Sequence, residues 1–245
     1  MPPLEVLIFA PLIVAGAYVI FAVSGFGLGL ITMPLLAHLF PLKFAIPMMV
    51  VLDFIGSISM GLKLRADIHK PELKLLLPFL IVGMGIGVFL LLALSQNILL
   101  AVLGVFILAY GVLYVSGKQP TLRVGRWAAG PAGVLAGTAS AMFGVGGPVC
   151  VMYLGMRGAT LEQIRATIPT IFIFTTIARM VFYLAAGLYT LTVLYTSLAL
   201  LPAMMLGLWL GHRLHVNLSR EQLFRILGAL LVVSGASLLF RAAGA

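Results

Sequence analysis

The chain has 245 residues, 62% of them hydrophobic and 9% charged, with a mean hydropathy of +1.21. A soluble domain is roughly 45–50% apolar and about 25% charged, so an ordinary cytosolic enzyme and a secreted domain are both excluded. The formal net charge of +9 would suit nucleic acid in a soluble protein; in a membrane chain cationic loops mark orientation, and no nucleic acid is expected as a partner.

Met1–Glu5 carries an acid and no Lys or Arg. A secretory signal starts with positive charge, so the first apolar stretch is expected to remain as a membrane helix. Residues 6–22 are apolar and uncharged, Ser24-Gly25-Phe26-Gly27-Leu28-Gly29 interrupts, and a short apolar arm follows over 30–40. Residues 44–62 form a span broken only by Asp53, and 75–94 and 97–116 are uncharged spans. About 20 apolar residues cross the roughly 30 Å hydrocarbon core as a helix, so these three are full crossings. After a basic stretch at 118–126 the pattern restarts: 127–142 is apolar, Gly144-Val145-Gly146-Gly147-Pro148 interrupts, and 149–156 is short and apolar. Spans follow at 166–186, which contains Arg179, at 191–210, and at 222–240, which has Arg225 near its start.

The two halves match. At an offset of 124, Pro78 falls on Pro202, Gly83 on Gly207, Gly87 on Gly211, Ser95 on Ser219, Gly104 on Gly228 and Gly111 on Gly235. At an offset of 117, Phe26-Gly27-Leu28-Gly29 falls on Phe143-Gly144-Val145-Gly146. Glycine is abundant, but six matches at one offset, with proline on proline, point to an internal duplication.

Charge then sets the orientation. By the positive-inside rule, loop 63–74 with Lys63, Arg65, Lys70 and Lys74 is cytoplasmic, and so are Lys118, Arg123 and Arg126 two spans later. The uncharged 187–190 turn is outside, which puts Arg157, Arg165, Arg213, Arg220 and Arg225 inside. Segment 127–156 then begins and ends on one side, so it is a hairpin turning at the glycine break. Run backwards, Lys43 lies outside, and a matching hairpin over 4–40 puts the N-terminus outside, as the C-terminus with Arg241 is. A single crossing by 127–156 would strand five of these cations outside. Each half is therefore one hairpin plus three spans, and an odd number of spans inverts the second half. The expected fold is an all-α integral membrane protein of the cytoplasmic membrane, one domain over 1–245, with inverted-topology repeats at 4–117 and 127–242.

Irregular backbone facing lipid is not tolerated, so the two breaks must be buried or line a wet cavity. Inverted-repeat transporters bind substrate near the midplane, where broken helices meet. A half-helix starting at Gly27–Gly29 or at Gly146–Pro148 directs free N–H groups and a positive partial charge at that place, which suits a small anion. Glycine lets backbone approach the ligand, and Pro148 in a first turn loses no needed donor.

These residues resemble a known family. The first copy reads Gly27-Leu28-Gly29-Leu30-Ile31-Thr32-Met33-Pro34-Leu35-Leu36 and the second Gly144-Val145-Gly146-Gly147-Pro148-Val149-Cys150. The duplicated pattern, over nearly the whole chain, is similar to the TauE/SafE sulfite exporters, whose halves each carry a motif near G-x-G-G-G-x-x-x-x-P-x-L. The first copy departs in lacking consecutive glycines, and the second lacks the downstream Pro-x-Leu. The resemblance implies export of sulfite, organosulfonates or related anions.

The candidate substrate residues are Ser24, Gly25, Gly27, Gly29 and Thr32 at the first break, Gly144, Gly146, Gly147 and Pro148 at the second, and Arg179. An ionisable group at membrane depth is costly and therefore a functional candidate. Arg179 offers a guanidinium matched to sulfonate oxygens. Asp53, mid-span in the corresponding helix of the other half, can pair with Arg179 or carry a coupling proton; a purely structural ion pair is the competing reading. Other hydroxyls in these zones, such as Ser140, Thr175 and Thr176, more often bond back to their own helix. His212 and His215 are too few for a metal site, Cys150 reads as a small apolar filler, and no metal or cofactor is expected. Thr160-x-x-Gln163 reads as a capping box, and Gly83-Met84-Gly85-Ile86-Gly87 as a helix-packing face. The expected partners are a small anion and the lipid bilayer. Bundles of this size often dimerise, though no homodimer interface stands in the sequence. The alternative to a secondary transporter is a non-transporting membrane protein, either an intramembrane enzyme or an assembly subunit.

Overall fold

The computed structural model describes residues 4–24, 28–61, 69–116, 123–213 and 220–244, and these form helices and no strand. In chain order they are α1 Leu4–Ser24, α2 Leu28–Leu36, α3 Leu42–Gly61, α4 Lys70–Ala93, α5 Gln96–Ser116, α6 Ala129–Phe143, α7 Gly147–Met156, α8 Leu161–Ala185, α9 Leu191–Arg213 and α10 Arg220–Gly244. A single 3-10 turn, Arg126–Ala128, leads into α6. Among the described residues, five helices are long and apolar enough to cross a membrane: α4, α5, α8, α9 and α10. Large apolar side chains such as Phe89, Val181, Leu184 and Val233 stand exposed. Outward apolar faces on helices of this length suit lipid as the surrounding solvent.

Helix ends depart from the charge-gap reading where local chemistry decides them. α4 begins at Lys70 rather than 75, so Lys70 and Lys74 are helical, with Glu72 in the first turn. Pro71 fits there because a first-turn residue needs no N–H acceptor. α8 begins at Leu161 rather than 166 because the capping box closes: Gln163 N donates to Thr160 Oγ1 at 3.3 Å, and Thr160 N to Gln163 Oε1 at 3.0 Å. The arm after the first break is shorter than expected and stops at Leu36. His215, Ser219 and the loop charges at 63–68 and 118 lie outside the described residues.

Two compact units form. One comprises Met1–Ala45, Leu94–Gln119 and Ala199–Ala245. In it α5 packs on α10, where Gly104 faces Gly235 and Leu239, and Gly111 faces Gly228 and Val232. Gly207 and Gly211 of α9 lie against Ala15 and Val19 of α1. Arg241 of α10 donates to the Ala37 carbonyl at 2.6 Å, beside His38.

The other unit comprises Ile46–Ala93 and Pro120–Leu198. Here α4 packs on α6 along a face where Gly83 meets the Val134 backbone and Gly87 meets Thr138. Thr138 Oγ1 donates to the Gly83 carbonyl at 3.0 Å, a bond open only to backbones this close. α7 has ten residues, about 15 Å of helix, too short to cross a bilayer. Val124 N donates to the Met156 carbonyl at 3.1 Å, so the segment from Val124 through α6 and α7 returns to its own starting point.

Candidate functional site

The break between α6 and α7 is built from chain-end chemistry. An α-helix leaves its last carbonyls without intrahelical donors. Gly144 adopts a left-handed conformation, φ 72°, which L side chains rarely take, and its N–H returns to the Ser140 carbonyl at 2.8 Å. Val145 N reaches the Ala139 carbonyl at 3.3 Å. The chain then doubles back so tightly that a Cβ on Gly146 would collide with the Ala136 carbonyl oxygen. α7 starts at Gly147 with Pro148 in its first turn, and Gly146 gives its N-terminus no side-chain cap. A Cβ on Gly147 would meet Phe172 of α8 at 2.6 Å.

Two α8 side chains complete the end of α6. Arg179 and Tyr183 stand four residues apart, hence on one helix face. Arg179 Nη1 lies 3.4 Å from the Ser140 carbonyl, and the Tyr183 hydroxyl donates to the Ala141 carbonyl. A cation at a helix C-terminus also meets its negative partial charge. Arg179 is 3% exposed. Its Nη2 binds Asp53 Oδ2 of α3 at 3.1 Å and Thr176 Oγ1 at 3.4 Å. A Cβ at Gly144 would sit 3.3 Å from Nη1, so the guanidinium is against the break itself. Arg179 Nε is buried with no hydrogen-bond partner, and so is the Tyr189 hydroxyl. Tyr189 sits beside Tyr183, with ring centroids 6.4 Å apart. Burial chiefly pushes its phenol up to about 12; the Arg179 charge opposes this and Asp53 adds to it.

The structure thus gathers Gly144, Gly146, Gly147, Pro148, Arg179 and Asp53 in one unit. At the first break, Gly25 and Gly27 lie outside the described residues, as does the Ser24 side chain. Gly29 is in the first turn of α2, half-buried. Thr32 is fully buried and its hydroxyl donates to the Leu28 carbonyl at 2.7 Å, within its own helix. Thr175 likewise bonds back, to Phe172. Cys150 is buried on α7, three residues before Tyr153.

Sequence reasoning missed Tyr183 and Tyr189, whose rings pass as apolar while their hydroxyls need partners. It also missed a second ionic cluster at the other end of α7. Glu72 is 3% exposed. Its Oε2 accepts from the Tyr153 hydroxyl at 2.6 Å, and its Oε1 from Arg157 Nη2 at 2.7 Å and Nε at 3.0 Å. Arg157 Nη1 donates to the Val124 carbonyl at 2.9 Å, fastening both ends of the hairpin to the start of α4. An acid at the head of a span, matched by a cation at the hairpin exit, was the signal available.

A family model described as "Sulfite exporter TauE/SafE" matches residues 9–238. A curated relative, "Probable inner membrane transporter protein TsaS" of Comamonas testosteroni, is 27% identical over 193 residues, covering 78% of this chain and 81% of its own. No solved structure matches the chain.

Proposed function

The chain belongs to the TauE/SafE sulfite exporter family, and from that premise we propose that it exports small sulfur-containing oxyanions, sulfite or organosulfonates, across the cytoplasmic membrane by alternating access. The observation that carries this reading is the buried Arg179 guanidinium. It lies against the break between two helices, and its Nε has no partner. A buried donor left unpaired costs roughly 1–3 kcal/mol, a cost that a bound oxyanion would remove. The α7 N-terminus adds positive partial charge beside it. Gly29 and Thr32, next to the first break, are further substrate-binding candidates in this reading.

Glycine contacts support inverted repeats. Gly83 and Gly87 of α4 face Val134 and Thr138 of α6, as Gly207 and Gly211 of α9 face Ala15 and Val19 of α1. On the α5–α10 face, Gly104 meets Gly235 and Gly111 meets Gly228, so each glycine faces the repeat-mate of the other. Both termini are then outside.

Purified protein in liposomes, assayed with sulfite, sulfoacetate, sulfate and organic acids, with and without a pH gradient, tests this reading. Flux of sulfite is expected. No flux of any anion overturns the reading and leaves the non-transporting membrane protein.

A further inference from the structure

The proposal here rests on the transport reading above and concerns which charge the site accepts. Arg179 and Asp53 are joined at 3.1 Å, with side chains 4% and 16% exposed, so their formal charges cancel within a part-buried pair. The α6 C-terminus and the α7 N-terminus bring partial charges of opposite sign. What the pair leaves open is hydrogen-bonding capacity. Arg179 Nε and the Tyr189 hydroxyl are both buried and unpartnered, and Tyr189 lies within electrostatic reach of both Arg179 and Asp53. A buried polar atom without a partner calls for a water, an ion or a ligand. The node therefore offers donors in near-neutral surroundings. The cost of charging a region of low dielectric grows roughly as the square of its net charge, so a second negative charge costs far more than the first.

We propose that this site takes singly charged oxyanions, hydrogen sulfite or the sulfonate headgroup, and excludes the doubly charged sulfite and sulfate, and that Asp53 is the residue that sets this limit. Asp53 acts through Arg179: it neutralises the guanidinium without covering Nε. Among the charged and titratable groups facing it are Arg179, Tyr183 and Tyr189. Replacing it by a neutral side chain gives the node a net positive charge, and the extra cost of the dianion over the monoanion shrinks.

The test uses purified full-length protein in liposomes with ethanesulfonate and sulfate as probes at one pH. The wild type is expected to favour ethanesulfonate by about tenfold or more, Asp53→Asn to reduce that ratio about tenfold, and Asp53→Glu to preserve it, tenfold being 1.4 kcal/mol. Equal wild-type flux of the two anions overturns the proposal, and so does an unchanged ratio in Asp53→Asn. Should that variant fold but carry neither anion, its thermal stabilisation by each anion reads the same ratio, and an equal loss for both overturns the proposal. Should it not accumulate, the wild type decides through pH. Sulfite flux relative to ethanesulfonate rises as falling pH converts sulfite to hydrogen sulfite, and a flat or falling ratio overturns the proposal. Absence of all flux overturns the transport reading instead.

Discussion

Replacing Glu72 by leucine tests whether the hairpin is held by its ionic clasp. The carboxylate is 3% exposed and accepts three hydrogen bonds, two from Arg157 and one from Tyr153. Removing one partner of a buried pair typically costs 3–5 kcal/mol, because the other charge stays behind. The Arg157 side chain is 20% exposed and keeps its bond to the Val124 carbonyl, which points to the lower end, ~3 kcal/mol. Glu72→Leu combined with Arg157→Leu leaves no stranded charge and is expected within about 1 kcal/mol of the wild type, about 2 kcal/mol or more better than Glu72→Leu alone. Cys150, the chain's one cysteine, is buried on α7 and reports opening through its thiol. In detergent, its labelling in Glu72→Leu should speed up about a hundredfold, the equivalent of ~3 kcal/mol in the open population, while the double variant should label nearly as slowly as the wild type. Wild-type labelling in Glu72→Leu, or a double variant as fast as the two singles combined, would refute the clasp.

Arg179→Ala is expected to abolish flux and Arg179→Lys to weaken it, since an ammonium keeps the charge but loses the guanidinium fork; normal transport by a well-inserted alanine variant removes Arg179 from the site. Tyr153→Phe should destabilise by ~1–2 kcal/mol in the same thiol assay, through the lost bond to Glu72. Gly144→Ala forces an L residue to φ 72°, a strain of roughly 1–2 kcal/mol, and should lower the melting temperature measurably. His38 is held below its ordinary value of 6.5, first by burial and then by the Arg241 charge. The unfolded chain therefore takes up the proton first, so this stabilisation is present above pH 6.5 and is lost as pH falls from there through the lowered folded-state value. Melting curves across that window should show it, and His38→Gln should flatten the dependence.

Much of the helical plan was legible because charges are so sparse that each gap between them is a span. Asp53 and Arg179 were legible for the same reason: an acid and a base inside apolar helices stand out, and the low dielectric drives them together. The clasp was not. In the sequence Glu72 is only an acid near the head of a span and Arg157 one of the inside cations, and only three dimensions reveal that the hairpin returns to α4. The tyrosines were hidden by their own amphipathic character. Thr32 illustrates a different limit, since a hydroxyl's partner in a helix is a matter of rotamer, and its own turn supplies one at 2.7 Å.

The capping of α6 by side chains of α8 also orders biosynthesis. As the chain leaves the ribosome, α6 and the ten-residue α7 emerge before Arg179 and Tyr183 exist to receive the Ser140 and Ala141 carbonyls. Neither arm alone is long enough to span the bilayer, so the hairpin is expected to become fixed only once α8 is present. Ribosome-stalled chains long enough to release α7 while α8 is still in the exit tunnel should leave Cys150 open to labelling, and chains long enough to release α8 as well should protect it.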